Sequence, residues 1–170
     1  AIPAFAEGLN NPIPDIYDSV SPSVVSLVRV TNKWDKNTGA VWSEDEGLGS
    51  AVYIDERGYF LTNHHVIDGA DELEIRLGDG TAYEAYVVGS DEATDVAVVK
   101  IDEKFPAQPV KVGSSSALRV GEMVCVIGTP LSEKMLYNTL TVGYVAGLNR
   151  EDADPDSTRA VGLVQIDAAV

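Results

Sequence analysis

The sequence predicts an all-β fold, barrel or sandwich, and three observations carry that reading. Short runs rich in β-branched residues recur along the chain, Gly- and Asp-containing turn signals separate them, and no long segment has helical periodicity. About nine short strands result. With 170 residues, 45% of them hydrophobic, the chain can fill one ordinary domain or two small β-barrels.

Residues 1–14 mix Pro, Gly and Asn without a period and read as an arm. A short helix follows. Pro14 suits a first helical turn, Asp15 and Asp18 suit its positive end, and Ile16, Tyr17 and Val20 are expected to share a buried face before Pro22 stops it. Strands are expected over 24–30 and 48–54, with 31–46 between them as an exposed loop. Asp55-Glu56-Arg57-Gly58 then turns the chain into a strand of Tyr59, Phe60 and Leu61. Glu72-Leu73-Glu74-Ile75-Arg76-Leu77 alternates without error, so one face packs and the other is wet. Gly78-Asp79-Gly80 returns it as a tight hairpin into 81–88, because Asp-Gly tolerates the positive φ angles such turns need.

Strands at 96–101, 122–127, 137–148 and 163–166 complete the series. The stretch 102–121, with Pro106, Pro109 and Ser114-Ser115-Ser116, reads as a crossover between two strand groups, and the domain boundary is expected there. Asp152, Asp154 and Asp156 around Pro155 make 149–158 an expected exposed loop.

Twelve basic against 27 acidic residues give a formal net charge of −15, which repels phosphate backbones and anionic lipid surfaces. Nucleic acid is therefore not an expected partner. The single cysteine, Cys125, excludes an intramolecular disulfide, and its setting Met123-Val124-Cys125-Val126-Ile127 is that of a small buried hydrophobe. No apolar run approaches the ~20 residues that span a bilayer. Ala4-x-Ala6 has the small-residue spacing of signal-cleavage sites, which fits export.

The residues with chemical promise are His65, in Leu61-Thr62-Asn63-His64-His65-Val66, and Asp95, in Thr94-Asp95-Val96-Ala97-Val98-Val99. Together they read as the base and the orienting acid of a hydrolytic triad. There a neutral imidazole takes a proton from the nucleophile, while a carboxylate on its other nitrogen fixes the tautomer and stabilises the imidazolium. The two histidines are adjacent, and neighbours on an extended segment point to opposite sides, so a shared metal ion is not expected. No cofactor is expected either. His65 follows a strand where the chain leaves the sheet and can face a cleft, whereas His64 reads as an ordinary surface or core residue.

Five segments then carry a family resemblance. Gly49-Ser50-Ala51-Val52-Tyr53-Ile54 comes first, with Gly58-Tyr59-Phe60-Leu61-Thr62-Asn63-His64-His65-Val66 after it. Thr94-Asp95-Val96-Ala97-Val98, Leu118-Arg119-Val120-Gly121-Glu122 and Val126-Ile127-Gly128-Thr129-Pro130 follow in order. The chain resembles the HtrA (Deg) family of trypsin-like serine proteases from about residue 20 to 170. That resemblance implies a chymotrypsin/trypsin-like double β-barrel with the active site between the barrels and the second barrel incomplete in this chain. Residues 1–22 would be the arm and helix, 23–112 the first barrel with His65 as general base and Asp95 as its orienter, and 113–170 the first part of the second barrel. Gln165-Ile166-Asp167-Ala168-Ala169-Val170 resembles the segment leading to the family's nucleophile stretch, so the serine is expected after residue 170. Val170 resembles the aliphatic position lining the family's P1 pocket, implying small apolar P1 side chains.

The resemblance further implies unfolded or signal-bearing protein substrates, the carboxy-terminal remainder of the protease domain as a partner, and a homotrimer or larger assembly. It implies a periplasmic or extracellular location, with room for a membrane anchor before residue 1, and a fragment that is inactive alone. Ile166 in place of the family's usual threonine, the loop Leu131-Ser132-Glu133-Lys134-Met135-Leu136, and a 31–46 segment shorter than in chaperone-like members depart from the pattern. Two other readings remain: a non-catalytic peptide-binding or chaperone-like pseudoprotease, and an unrelated small-ligand barrel in which His65 and Asp95 lie far apart.

Overall fold

Nine strands in two antiparallel sheets make up the computed structural model, which describes residues 11–129, 138–150 and 162–169. Ahead of them lies helix α1 (Ile13–Val20), with proline in its first turn and Asp15 at its positive end. Its inward stripe is Ile13, Tyr17 and Val20, all half-buried, whereas Ile16 is exposed, contrary to expectation. The helix begins at Ile13, and the i, i+4, i+7 spacing from that residue leaves Ile16 on the outer side.

Six strands close a barrel: β1 (Val24–Trp34), β2 (Val41–Asp55), β3 (Tyr59–Thr62), β4 (Glu72–Arg76), β5 (Ala82–Asp91) and β6 (Val96–Lys100), in the order β1-β2-β3-β6-β5-β4. The two short turns form at their glycines. Gly58 has φ +91° and Gly80 has φ +89°, a region that only glycine occupies without steric cost. Inside the barrel, Val25, Leu27, Phe60 and Ile75 are fully enclosed. The rings of Tyr53, Phe60 and Phe105 pack with centroids 4.8–5.0 Å apart, so the first residues of the crossover after β6 plug the barrel.

The expected loop at 31–46 is instead a continuation of β1 and β2. These strands stay paired to Trp34↔Val41, beyond the last β4 partner of β1 at Val30↔Glu72. A six-residue connection closes the ribbon: the Asp35 carboxylate accepts the N–H groups of Asn37 (2.7 Å) and Thr38 (3.3 Å), and Gly39 takes φ +71°. The polar composition of 31–46 hid a strand pair that has solvent on both sides and hence no apolar alternation to reveal it.

The second sheet has the order β7 (Met123–Gly128), β8 (Thr139–Arg150), β9 (Leu163–Ile166). Cys125, expected to be buried, is half-buried opposite the exposed Val142. Its apolar neighbours signal a strand and do not fix how deeply that strand is covered. β8 also runs through Asn149 and Arg150, the first two residues of an expected loop; residues 151–158 lie outside those described. The barrel and the sheet are tied by named bonds. Thr129 N donates to Ser50 Oγ (2.9 Å), Tyr17 Oη donates to the Asn138 carbonyl (3.0 Å), and Asn138 Nδ2 donates to the Ser21 carbonyl (2.8 Å).

Candidate active site

β3 stops at Thr62, whose hydroxyl donates to the Ser50 carbonyl of β2 (2.9 Å), and the chain enters the one-turn helix α2 (His64–Ile67). Glycine at position 49 lets α2 sit directly on the barrel. A Cβ there would lie 2.5 Å from Val66 Cγ1. The two histidines therefore lie on a helix and not on an extended segment, and successive side chains diverge by about 100°. His64 turns inward, with Nδ1 enclosed and unpaired among the described residues, and His65 turns out with 70% of its side chain exposed.

Asp95 closes the turn before β6 with φ +54°, a conformation that aspartate tolerates better than most residues. Pairing of Thr62 with Ala97 brings the β3–α2 junction alongside it. Four bonds then fix the pair. Asp95 Oδ1 accepts the His65 backbone N–H (2.9 Å), and Oδ2 lies 2.7 Å from His65 Nδ1. The Asp95 carbonyl accepts Asn63 Nδ2 (2.9 Å) and the His64 N–H (3.3 Å). An ionised carboxylate has no proton to give, so the contact requires Nδ1–H, which leaves the Nε2 lone pair free to accept a proton. Burial works against the Asp95 charge. The His65 backbone and ring hydrogen bonds, helped by the nearby imidazoles of His65 and His64, outweigh it and hold the carboxyl below its ordinary value.

His65 opens onto a cavity of about 580 Å³ between barrel and sheet. Arg29, Ser50 and Asn63 line its barrel wall, and Ile127, Thr129 and Ala169 line the wall of the sheet. Thr141 Oγ1 donates to the Ala169 carbonyl (2.6 Å), and Tyr144 N donates to Asp167 Oδ1 (2.5 Å), which clamps the strand leading to Ala169. Gly143 permits that approach, because a Cβ there would lie 2.4 Å from Ala168 N. Val170, expected in the P1 pocket, lies outside the described residues. Among the described residues no group of three or more His, Cys, Asp or Glu is placed to hold a metal, and no helix is long and apolar enough to cross a membrane.

Sequence reading singled out His65 and Asp95 but gave Asn63, Thr129 and Arg29 no role. The signal for Arg29 was present as the one charge within the run Val24-Val25-Ser26-Leu27-Val28-Arg29-Val30. Nothing comparable marks Asn63 or Thr129, whose parts depend on contacts between distant segments.

The trypsin-like peptidase domain family matches residues 49–170. The serine endoprotease DegS of Salmonella typhimurium is 33% identical over 171 residues, an alignment that takes in 100% of this chain and 46% of the relative. The chain belongs to the HtrA (Deg) family of trypsin-like peptidases. Another relative, the chloroplastic protease Do-like 1 of Arabidopsis thaliana, is 38% identical over 157 residues, covering 91% of this chain and 35% of that protein. The chain thus spans less than half the length of these two relatives. A solved HtrA-type protease, AlgW with a decapeptide, superposes with a TM-score of 0.77 at 30% identity, covering 92% of this chain and 51% of the other. The relatives also include a probable periplasmic serine protease, do/HhoA-like, of Haemophilus influenzae, 42% identical over 125 residues, or 73% of this chain and 26% of that protein.

Proposed function

We propose that this chain is part of a serine endopeptidase in which His65 is the general base and Asp95 its orienter. The observation that carries the proposal is the two-point grip of one carboxylate on His65, at its backbone N–H (2.9 Å) and its Nδ1 (2.7 Å). Such a grip sets both ring orientation and tautomer, as proton abstraction by Nε2 requires. Among the described residues no hydroxyl bonds His65. In this reading the attacking serine and the oxyanion donors follow residue 170 in the full-length protein, and the 170-residue piece alone does not turn over.

The serine Oγ attacks the scissile carbonyl as its proton passes to His65 Nε2, and Asp95 stabilises the resulting imidazolium. That proton then goes to the leaving amine, which departs and leaves an acyl-enzyme ester. Water, deprotonated by the same nitrogen, releases the acid and restores the serine. A preference for small apolar P1 side chains belongs to the same reading. Relatives named as periplasmic proteases support export. Unfolded or signal-bearing proteins are the substrates in this reading. A homotrimer or larger assembly belongs to the same reading, and sedimentation of the full-length protein measures it.

The deciding test compares casein cleavage by full-length wild-type and His65→Ala proteins. The substitution is expected to remove nearly all turnover, while His64→Ala is mild. Wild-type turnover in His65→Ala ends the assignment, and equal losses at the two positions mean that the wrong imidazole has been chosen.

A further inference from the structure

Along β1, Val25 and Leu27 point into the barrel core, and Arg29 shares their parity. A guanidinium on an inward face needs either a partner or an exit to water. It finds the exit at the mouth of the barrel. Its register neighbour on β2 is Gly47, and a Cβ at that glycine would lie 2.5 Å from Arg29 Nε and 2.8 Å from Nη2, so the guanidinium occupies the space a side chain would take. Arg29 Nη1 donates to the Asp68 carbonyl just past α2 (2.5 Å), which fixes the group in position.

Charge makes the placement unusual. The chain has 27 acidic residues for 12 basic ones, yet among the described residues Arg29 forms no ion pair. Arg76, by contrast, is held by both Asp45 and Glu74. Arg29 is half-buried and lines the same cavity as His65, and among the described residues no carboxylate lines that cavity. A fixed, partly desolvated cation with donors to spare, facing a cleft of otherwise uncharged side chains, is built to receive a carboxylate.

We infer that Arg29 is a specificity-determining residue of this cleft, selecting substrate segments that carry an acidic side chain close to the bond to be cut. The inference rests on the endopeptidase reading above, and it adds a substrate class to that reading.

The test uses full-length His65→Ala protein, so that no turnover disturbs binding. The probes are fluorescein-labelled octapeptides of Ala and Val, amidated at the carboxy terminus, in which one Glu, Gln or Lys is walked along the sequence. Fluorescence anisotropy is expected to give about five- to ten-fold tighter binding for Glu than for Gln at one or two positions, shrinking as salt is added. Arg29→Gln should bring the ratio close to one, and Arg29→Glu should reverse it in favour of Lys. If Arg29 only propped the Asp68 carbonyl, all three peptide sets would weaken alike and no reversal would occur. Equal affinity for Glu and Gln at every position overturns the inference without any Arg29 variant. Failure of wild-type protein to cleave peptides that bind with this preference would instead overturn the endopeptidase reading and leave the charge selectivity standing.

Discussion

In the barrel every strand has a neighbour on each side, and Val25, Leu27, Phe60, Thr62, Leu73 and Ile75 are closed off from water; in the sheet, among the described residues, β7 and β9 each have one neighbour and β7 has no fully buried side chain. The His65–Asp95 pair is built wholly from the first region. Its four bonds join residues 63–65 to residue 95, and none of them touches the sheet. The sheet supplies the opposite wall of the cleft, through Ile127, Thr129 and Ala169. The geometry of the His65–Asp95 pair and the shape of the groove's far wall can therefore vary independently, because different packing units hold them.

The sharpest way to break this comparison is Asp95→Asn in the full-length protein. It is expected to cost on the order of 10⁴ in kcat by favouring the wrong tautomer, with little change in melting temperature. A fall of less than tenfold would mean that the carboxylate does not set the ring. Next comes packing. Phe60→Ala, in the middle of the three-ring cluster, should destabilise by about 3–5 kcal/mol, whereas Val142→Ala, 42% exposed on β8, should cost less than about 1 kcal/mol. Urea titrations followed by circular dichroism read both, and equal losses would erase the distinction between the regions. Gly49→Ala should cost about 1–3 kcal/mol, since Val66 must move and α2 with it. It should also lower kcat, because His65 rides on that helix.

The smallest effect is one of pH. The Asp95 carboxyl sits below its ordinary value in the folded state, so the unfolded chain takes up that proton first. The stabilising contribution is complete above the unfolded value of about 3.9 and is lost as pH falls through the lower folded value. Wild-type and Asp95→Asn stabilities should therefore converge on acidification below about pH 4. Denaturation midpoints that stay parallel down the acid range would show that the contact contributes no pH-dependent stability.

Much of this was legible in the sequence, for identifiable reasons. Alternation in 72–77, glycines at positions 58 and 80, and β-branched runs marked the strands, because each is a local consequence of the pleat or of a turn. His65 and Asp95 stood out by residue type and flanking pattern. The ribbon at 31–46 was missed because a strand pair wetted on both sides carries no period. The covering of Cys125 and the phase of α1 depend on what packs against them, which no local pattern records. Arg29 is the instructive case, since its parity with Val25 and Leu27 was readable, but that it faces the His65 cavity was not.

The ribbon at the end of β1 and β2 holds both tryptophans of the chain, Trp34 at 62% and Trp42 at 44% exposure. Ultraviolet-excited indole emission from these 170 residues thus originates entirely in a ribbon that extends beyond the barrel's β1–β4 pairing. It should be red-shifted already in the native state and report only weakly on melting of the barrel. The same emission becomes a private optical channel for anything that settles on the ribbon, with no background from other indoles in these 170 residues.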